Sequence, residues 1–182
     1  MNIDLLTASS HKIYGPKGVG VLFKKKNIKI EPQILGGRQE WNLRAGTENV
    51  AGIVGFAEAL KLTQEHKEQE NARLQKLQQR IIDFILKEIP LSRLNGHPTK
   101  RLPNNVHFSF LNTEGETLLL MIDHEGFSVA TGSACSTDSL DPSHVLMGIG
   151  MPHEVSHGSV RITLGKETTE TEVERFLKIL PK

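Results

Sequence analysis

Ser9-Ser10-His11-Lys12 sets two hydroxyls, an imidazole and an amine in succession. Hydroxyl and imidazole N–H groups donate well to phosphate, and an amine condenses with a carbonyl to form a Schiff base. The segment follows an apolar stretch, Ile3 to Thr7, that reads as a strand. Loops at strand ends often carry sites, but polar residues there are also commonplace, so the segment alone admits both readings. Gly15-Pro16-Lys17-Gly18-Val19-Gly20 comes next. It lacks the Gly-Lys-Ser/Thr ending of a phosphate-binding loop and no helical pattern follows it, so it reads as a tight turn between two strands.

The chain has one cysteine, Cys135, in the small-residue run Gly132-Ser133-Ala134-Cys135-Ser136. A lone cysteine is most often a small buried hydrophobe. Here Thr131, Ser133, Ser136, Thr137, Asp138 and Ser139 make the surroundings polar, which favours an exposed thiol and a candidate nucleophile. At an ordinary pKa of about 8.5 only a few per cent is thiolate at neutral pH, so the group needs a nearby cation or acid–base partner. Arg161 lies inside the apolar run Val160 to Leu164. It is either a surface residue on a polar strand face or a planar fork that grips a carboxylate. His153-Glu154-Val155-Ser156-His157 matches the zinc-protease pattern H-E-x-x-H. Pro152 and Gly158 confine any helix there to about one turn, and no third His or Cys follows, so a short capped helix is the plainer reading.

These residues need elements to hold them. Val19 to Phe23 reads as a short strand, and Ile28 to Ile34 alternates around Pro32 like an edge strand. Asn49 to Ile89 has helical spacing: Ile53, Val54, Ala57 and Leu60, then Leu74, Leu77, Ile81, Phe84 and Ile85, with a polar stretch from Gln64 to Asn71 between. Pro90 ends it. At about 1.5 Å per residue this helix is longer than a compact domain, so it bends or bridges two domains. Val106 to Leu111 and Ser159 to Leu164 read as strands; Glu114 to His124, Pro142 to Ile149 and Thr169 to Leu180 read as helices. The alternation predicts α/β or α+β packing, with helices on one face of a sheet. Both ends read as cut from something longer.

Composition narrows the function classes. With 182 residues, 37% hydrophobic and 24% charged, the chain is long and apolar enough for a real core. A net charge of +1 argues against an electrostatic nucleic-acid binder. Charge is uneven, from seven basic and two acidic residues over 1–38 to five basic and eleven acidic over 111–182. Lys24-Lys25-Lys26 in the basic head reads as a solvated turn. One cysteine excludes an intramolecular disulfide and a multi-cysteine zinc site. The longest apolar run, Leu118 to Ile122, is far short of the ~20 residues of a membrane span. No secretory signal opens the sequence, so the expected location is the cytoplasm.

Four segments in chain order carry a family resemblance: Ser9 to Gly18 (SSHKIYGPKG), Arg44 to Asn49 (RAGTEN), Ala130 to Ser136 (ATGSACS) and Ser159-Val160-Arg161. Together they resemble the cysteine desulfurases of the class-V aminotransferase superfamily, in the subgroup with the longer cysteine loop. The resemblance covers essentially the whole chain and is to the C-terminal half of the family's longer proteins. It implies an α/β fold, the C-terminal part of a fold-type-I transferase. Residues 1–48 would be a remnant of the large domain, 49–90 the connecting helix, and 91–182 a small C-terminal α/β domain with the cysteine loop.

The resemblance also implies roles. Lys12 would carry pyridoxal 5'-phosphate, with Ser9 and His11 on its phosphate. Thr47 would reach the phosphate in a neighbouring subunit, which makes a homodimer part of the site. Arg161 would bind the α-carboxylate of L-cysteine, and Cys135 would attack the substrate sulfur and become a persulfide. The sulfur would pass to an acceptor protein, an iron–sulfur scaffold or a tRNA-thiolation enzyme. The upstream half, which in the family supplies the stacking histidine and the Asp at the pyridinium nitrogen, is not in this sequence. The isolated chain is therefore expected to be a poor catalyst. The alternatives are a related lyase such as selenocysteine lyase, and a non-catalytic dimerisation or docking module of the same descent.

Overall fold

A computed structural model describes residues 2–132 and 142–180. They divide into two compact units, Met1–Lys67 and Glu68–Lys182. In the first, β1 (Leu5–Ser9) and β2 (Gly20–Lys24) pair antiparallel, with Leu5 opposite Lys24 and Ser9 opposite Gly20. The link between them is a 3-10 turn over Ser10–Ile13, closed by left-handed Tyr14, whose backbone φ is 65°. The lysine run at the end of β2 is less solvated than expected. Lys24 donates to the Ile28 carbonyl at 2.6 Å, and Lys25 pairs with Asp4 at 2.7 Å, so two of the three lysines tie the turn together.

The predicted edge strand over 28–34 does not form; the segment has no strand pairing. Alternation alone makes no ladder, and Pro32 removes a donor. Ala45 N–H donates to the Ile34 carbonyl and ties the segment to a distant residue. A short helical turn, α1 (Gln39–Asn42), follows with left-handed backbone at Glu40 and Trp41.

Helix α2 (Val50–Glu88) runs 39 residues without a break, starting in the first unit and ending in the second. Asn49 caps it by accepting from Gly52 N–H at 3.0 Å. In the second unit β3 (Ser92–Leu94), β4 (Asn105–Phe110) and β5 (Ser159–Thr163) form an antiparallel sheet in the order β3-β4-β5. Phe108 lies opposite Val160, and Val106 opposite Ile162. These four turn to one face and are buried with Leu77, Ile81 and Ile85 of α2. The same core takes Ile122 of α3 (Gly115–His124) and Val173, Phe176 and Leu177 of α6 (Glu170–Ile179).

Polar contacts fix the covering helices. Arg80 of α2 grips Glu174 of α6 through Nε and Nη2, at 2.7 and 3.0 Å. Arg73 donates to the carbonyls of Thr168 and Gly165, holding the turn into α6. Buried Gln78 donates to the carbonyls of Leu102 and Asn105 where the chain enters β4. Thr169 and Glu172 make a reciprocal capping box at the start of α6. The short helices α4 (His144–Gly148) and α5 (His153–His157) complete the unit. Among the described residues, no helix is long and apolar enough to cross a membrane.

Candidate active site

The first unit places Ser9, His11 and Lys12 on one turn at the end of β1. All three side chains are exposed and make no hydrogen bond or ion pair among the described residues. Ser10 does not join them. It is fully buried, and its Oγ has no partner among the described residues. Gly15 leaves it room, since a Cβ there would come within 2.9 Å of the Ala59 Cβ and collide with the Ser10 hydroxyl. The run of four polar residues thus offers a hydroxyl, an imidazole and an amine, and withholds the second hydroxyl. Thr47 is exposed too, between Gly46, whose φ of 107° only glycine adopts freely, and the capped start of α2.

In the second unit Arg161 sits at the middle of β5 and is half-buried. Its Nε is buried and has no hydrogen-bond partner among the described residues. That departs from the simple surface reading, because a guanidinium N–H shut away from water and unpaired is costly unless a ligand meets it. Arg161 also anchors the segment that leads to the cysteine. Its N–H donates to the Ala130 carbonyl at 2.7 Å, and Ala130 N–H returns a bond at 3.0 Å. Gly115 makes the fit beside it, since a Cβ there would lie 2.8 Å from the carbonyls of His157 and Ser159 and 3.2 Å from Thr131 Cγ2. Cys135 itself lies outside the described residues.

One neighbour of Arg161 escaped the sequence reading. His107 is its cross-strand partner in β4, and directly opposed residues share a sheet face. Burial, then the guanidiniums of Arg161 and Arg101, push the pKa of His107 from 6.5 down to about 4. The signal was in the sequence: Asn105, His107 and Ser109 are the polar alternates of β4, on the parity that register sets against Arg161. The linkage has a definite sign. Between about pH 4 and 6.5 the unfolded chain holds a proton at this residue that the folded chain does not. Its contribution to stability is complete above 6.5 and is lost as pH falls towards 4. Urea midpoints should drop across that window, and His107→Asn should flatten the drop; an unchanged slope would refute this account of His107.

The H-E-x-x-H segment forms α5, five residues long, with the His153 and His157 ring centroids 5.5 Å apart. Ser156 is buried and its hydroxyl donates to the Pro152 carbonyl at 3.0 Å. Among the described residues no group of three or more His, Cys, Asp or Glu could hold a metal ion.

The donor set at the end of β1 suits a phosphate ester bearing an aldehyde: hydroxyl and imidazole donors for the anion, and an unengaged amine for the carbonyl. The profile described as aminotransferase class-V matches residues 1–176. The chain is 53% identical over 184 residues to a protein named cysteine desulfurase IscS from Clostridium botulinum, covering 100% of this chain and 46% of that one. It is 50% identical over 182 residues to a protein of the same name from Methanosarcina thermophila, covering 100% of this chain and 45% of that one. A solved NifS-like protein matches with a TM-score of 0.87 at 34% identity, over 99% of this chain and 46% of that chain. A NifS-like protein from Rickettsia africae matches with a TM-score of 0.87 at 32% identity, over 98% and 46%. The chain spans about half the length of the curated relatives it matches. Pyridoxal phosphate is the cofactor of this group of enzymes. By the family match over 1–176, the chain belongs to the class-V aminotransferases.

Proposed function

We propose that this chain carries the cofactor lysine, the substrate arginine and the sulfur-accepting thiol of a pyridoxal-phosphate-dependent cysteine desulfurase. The observation that carries the reading is the unengaged set Ser9, His11 and Lys12 on one turn. Ser9 and His11 bind the cofactor phosphate and Lys12 Nζ holds its carbonyl carbon. Thr47 binds the phosphate in a second copy, so the working form is a homodimer. Residues 1–48 belong to the cofactor-binding part, 49–90 to the connecting helix and 91–182 to the small C-terminal domain.

When bound, pyridoxal phosphate supplies an electron sink for charge at the Cα of an amino acid. The rest of the work falls to the chain. Arg161 grips the α-carboxylate of L-cysteine through its planar fork and fixes the orientation of Cα. Released from the cofactor carbonyl when the substrate amine takes its place, Lys12 Nζ is the free amine that takes the proton from Cα and returns one to the product. Cys135 Sγ, as thiolate, attacks the substrate sulfur. A sulfur–sulfur bond forms as the substrate carbon–sulfur bond breaks, so L-cysteine leaves as L-alanine and Cys135 keeps a persulfide. No external oxidant enters. The persulfide sulfur then passes to an acceptor protein of iron–sulfur assembly or tRNA thiolation in the cytoplasm.

The test joins this chain to the N-terminal half of its 53% identical relative, with cofactor and L-cysteine. The Cys135 peptide should gain one sulfur by mass, in step with alanine release, and Cys135→Ser should stop both. Alanine release that survives Cys135→Ser would move the reading to a lyase that needs no protein thiol. Failure of the joined protein to bind cofactor would leave the docking module.

A further inference from the structure

The second face of the β3-β4-β5 sheet differs from the one that packs the core. On it Asn105, His107 and Ser109 of β4 stand opposite Thr163, Arg161 and Ser159 of β5. Ser109 is already spoken for, by hydrogen bonds with the buried Asn95 side chain. His107 and Arg161 are not: the imidazole is half-buried beside a guanidinium whose Nε is buried and unpartnered. Two groups able to carry positive charge face each other, with no carboxylate paired to either among the described residues.

We propose that His107 is the proton-linked positioning residue of the carboxylate site at Arg161, so that an amino-acid carboxylate on the guanidinium and a proton on His107 favour each other's binding. The inference rests on the reading of Arg161 as the carboxylate ligand and adds the regulation of that site. A carboxylate on Arg161 cancels the positive field that opposes a charged imidazole. The proton comes from solvent and no bond other than N–H is made. By reciprocity, a proton on His107 tightens carboxylate binding by the factor with which the carboxylate tightens the proton. The charges that act on His107 come from Arg161 on β5 and Arg101 ahead of β4. β3 brings Arg93, opposite Ser109, and α5, packed against β4, brings His153, Glu154 and His157; none of these perturbs His107. Arg101 is committed to the backbone, donating to the carbonyls of His97, Asn95 and Asn105, so Arg161 is the cation left for a ligand.

The experiment follows the His107 imidazole resonance of the full chain through a pH titration, with and without L-alanine, whose carboxyl is more acidic than the imidazolium and so is still ionised where His107 begins to titrate. The expected result is a His107 titration point higher by about one pH unit with alanine bound. Alanine affinity should strengthen as pH falls, and His107→Asn and His107→Gln, checked as folded by their amide spectra, should remove that pH dependence. Alanine binding that is lost in Arg161→Gln but leaves the His107 titration unmoved would overturn the inference and keep the reading of Arg161. Binding that is absent, or indifferent to Arg161→Gln, would overturn the reading itself.

Discussion

Phe108→Ala should cost about 3–5 kcal/mol of folding stability, the usual cost of truncating a fully buried aromatic side chain. Phe108 has no exposed surface and lies in the core with Ile81, Ile85 and Leu177. Its ring stacks on Phe110 with centroids 6.1 Å apart. Truncation removes apolar burial and leaves a hole between sheet and helices that rigid neighbours fill only in part. A domain is stable by only ~5–15 kcal/mol, so the loss takes a large share of the total. Equilibrium urea unfolding measures this directly. A loss below about 1 kcal/mol would mean that the site collapses freely and that the sheet–helix core is not packed as described.

Lys12→Arg should abolish sulfur transfer in the joined protein while leaving the urea midpoint of this chain alone, without cofactor, unchanged. The substitution keeps the positive charge and removes the primary amine, so it separates holding the cofactor carbonyl from merely attracting its phosphate. Stability is indifferent because the Lys12 side chain is exposed and unpaired among the described residues. The readout is the persulfide on Cys135. Persulfide at the normal rate in the arginine variant would remove Lys12 from the mechanism.

Much of this was legible in the sequence because its elements are strongly periodic or locally capped. α2 and α6 carry helical apolar spacing, and the Thr169–Glu172 box marks where α6 starts. β4 and β5 alternate cleanly. What was not legible depends on partners distant in the chain. β3 is three residues long and is a strand only because Ser92 to Leu94 pair with Phe110 to Phe108. The segment 28–34 has the alternation of a strand and no neighbour to pair with, so it forms none. The left-handed turn at Glu40 and Trp41 uses no glycine and leaves no local mark.

The site divides along the same line. Ser9, His11, Lys12 and Arg161 could be nominated from residue type and from resemblance. Adjacent hydroxyls look alike in sequence, yet Ser9 is exposed and Ser10 is sealed inside; only the turn of the backbone separates them. His107 could not be tied to Arg161 without the register of β4 on β5. The buried, unpaired Nε of Arg161 is likewise a property of packing.

The most direct test of the central claim, that Lys12 is the cofactor lysine, needs no partner chain. The purified chain is incubated with pyridoxal phosphate, reduced with borohydride, and the modified peptide mapped by mass. The account predicts one adduct, on Lys12. Adducts scattered over Lys24, Lys25 and Lys26, or none at all, would contradict it.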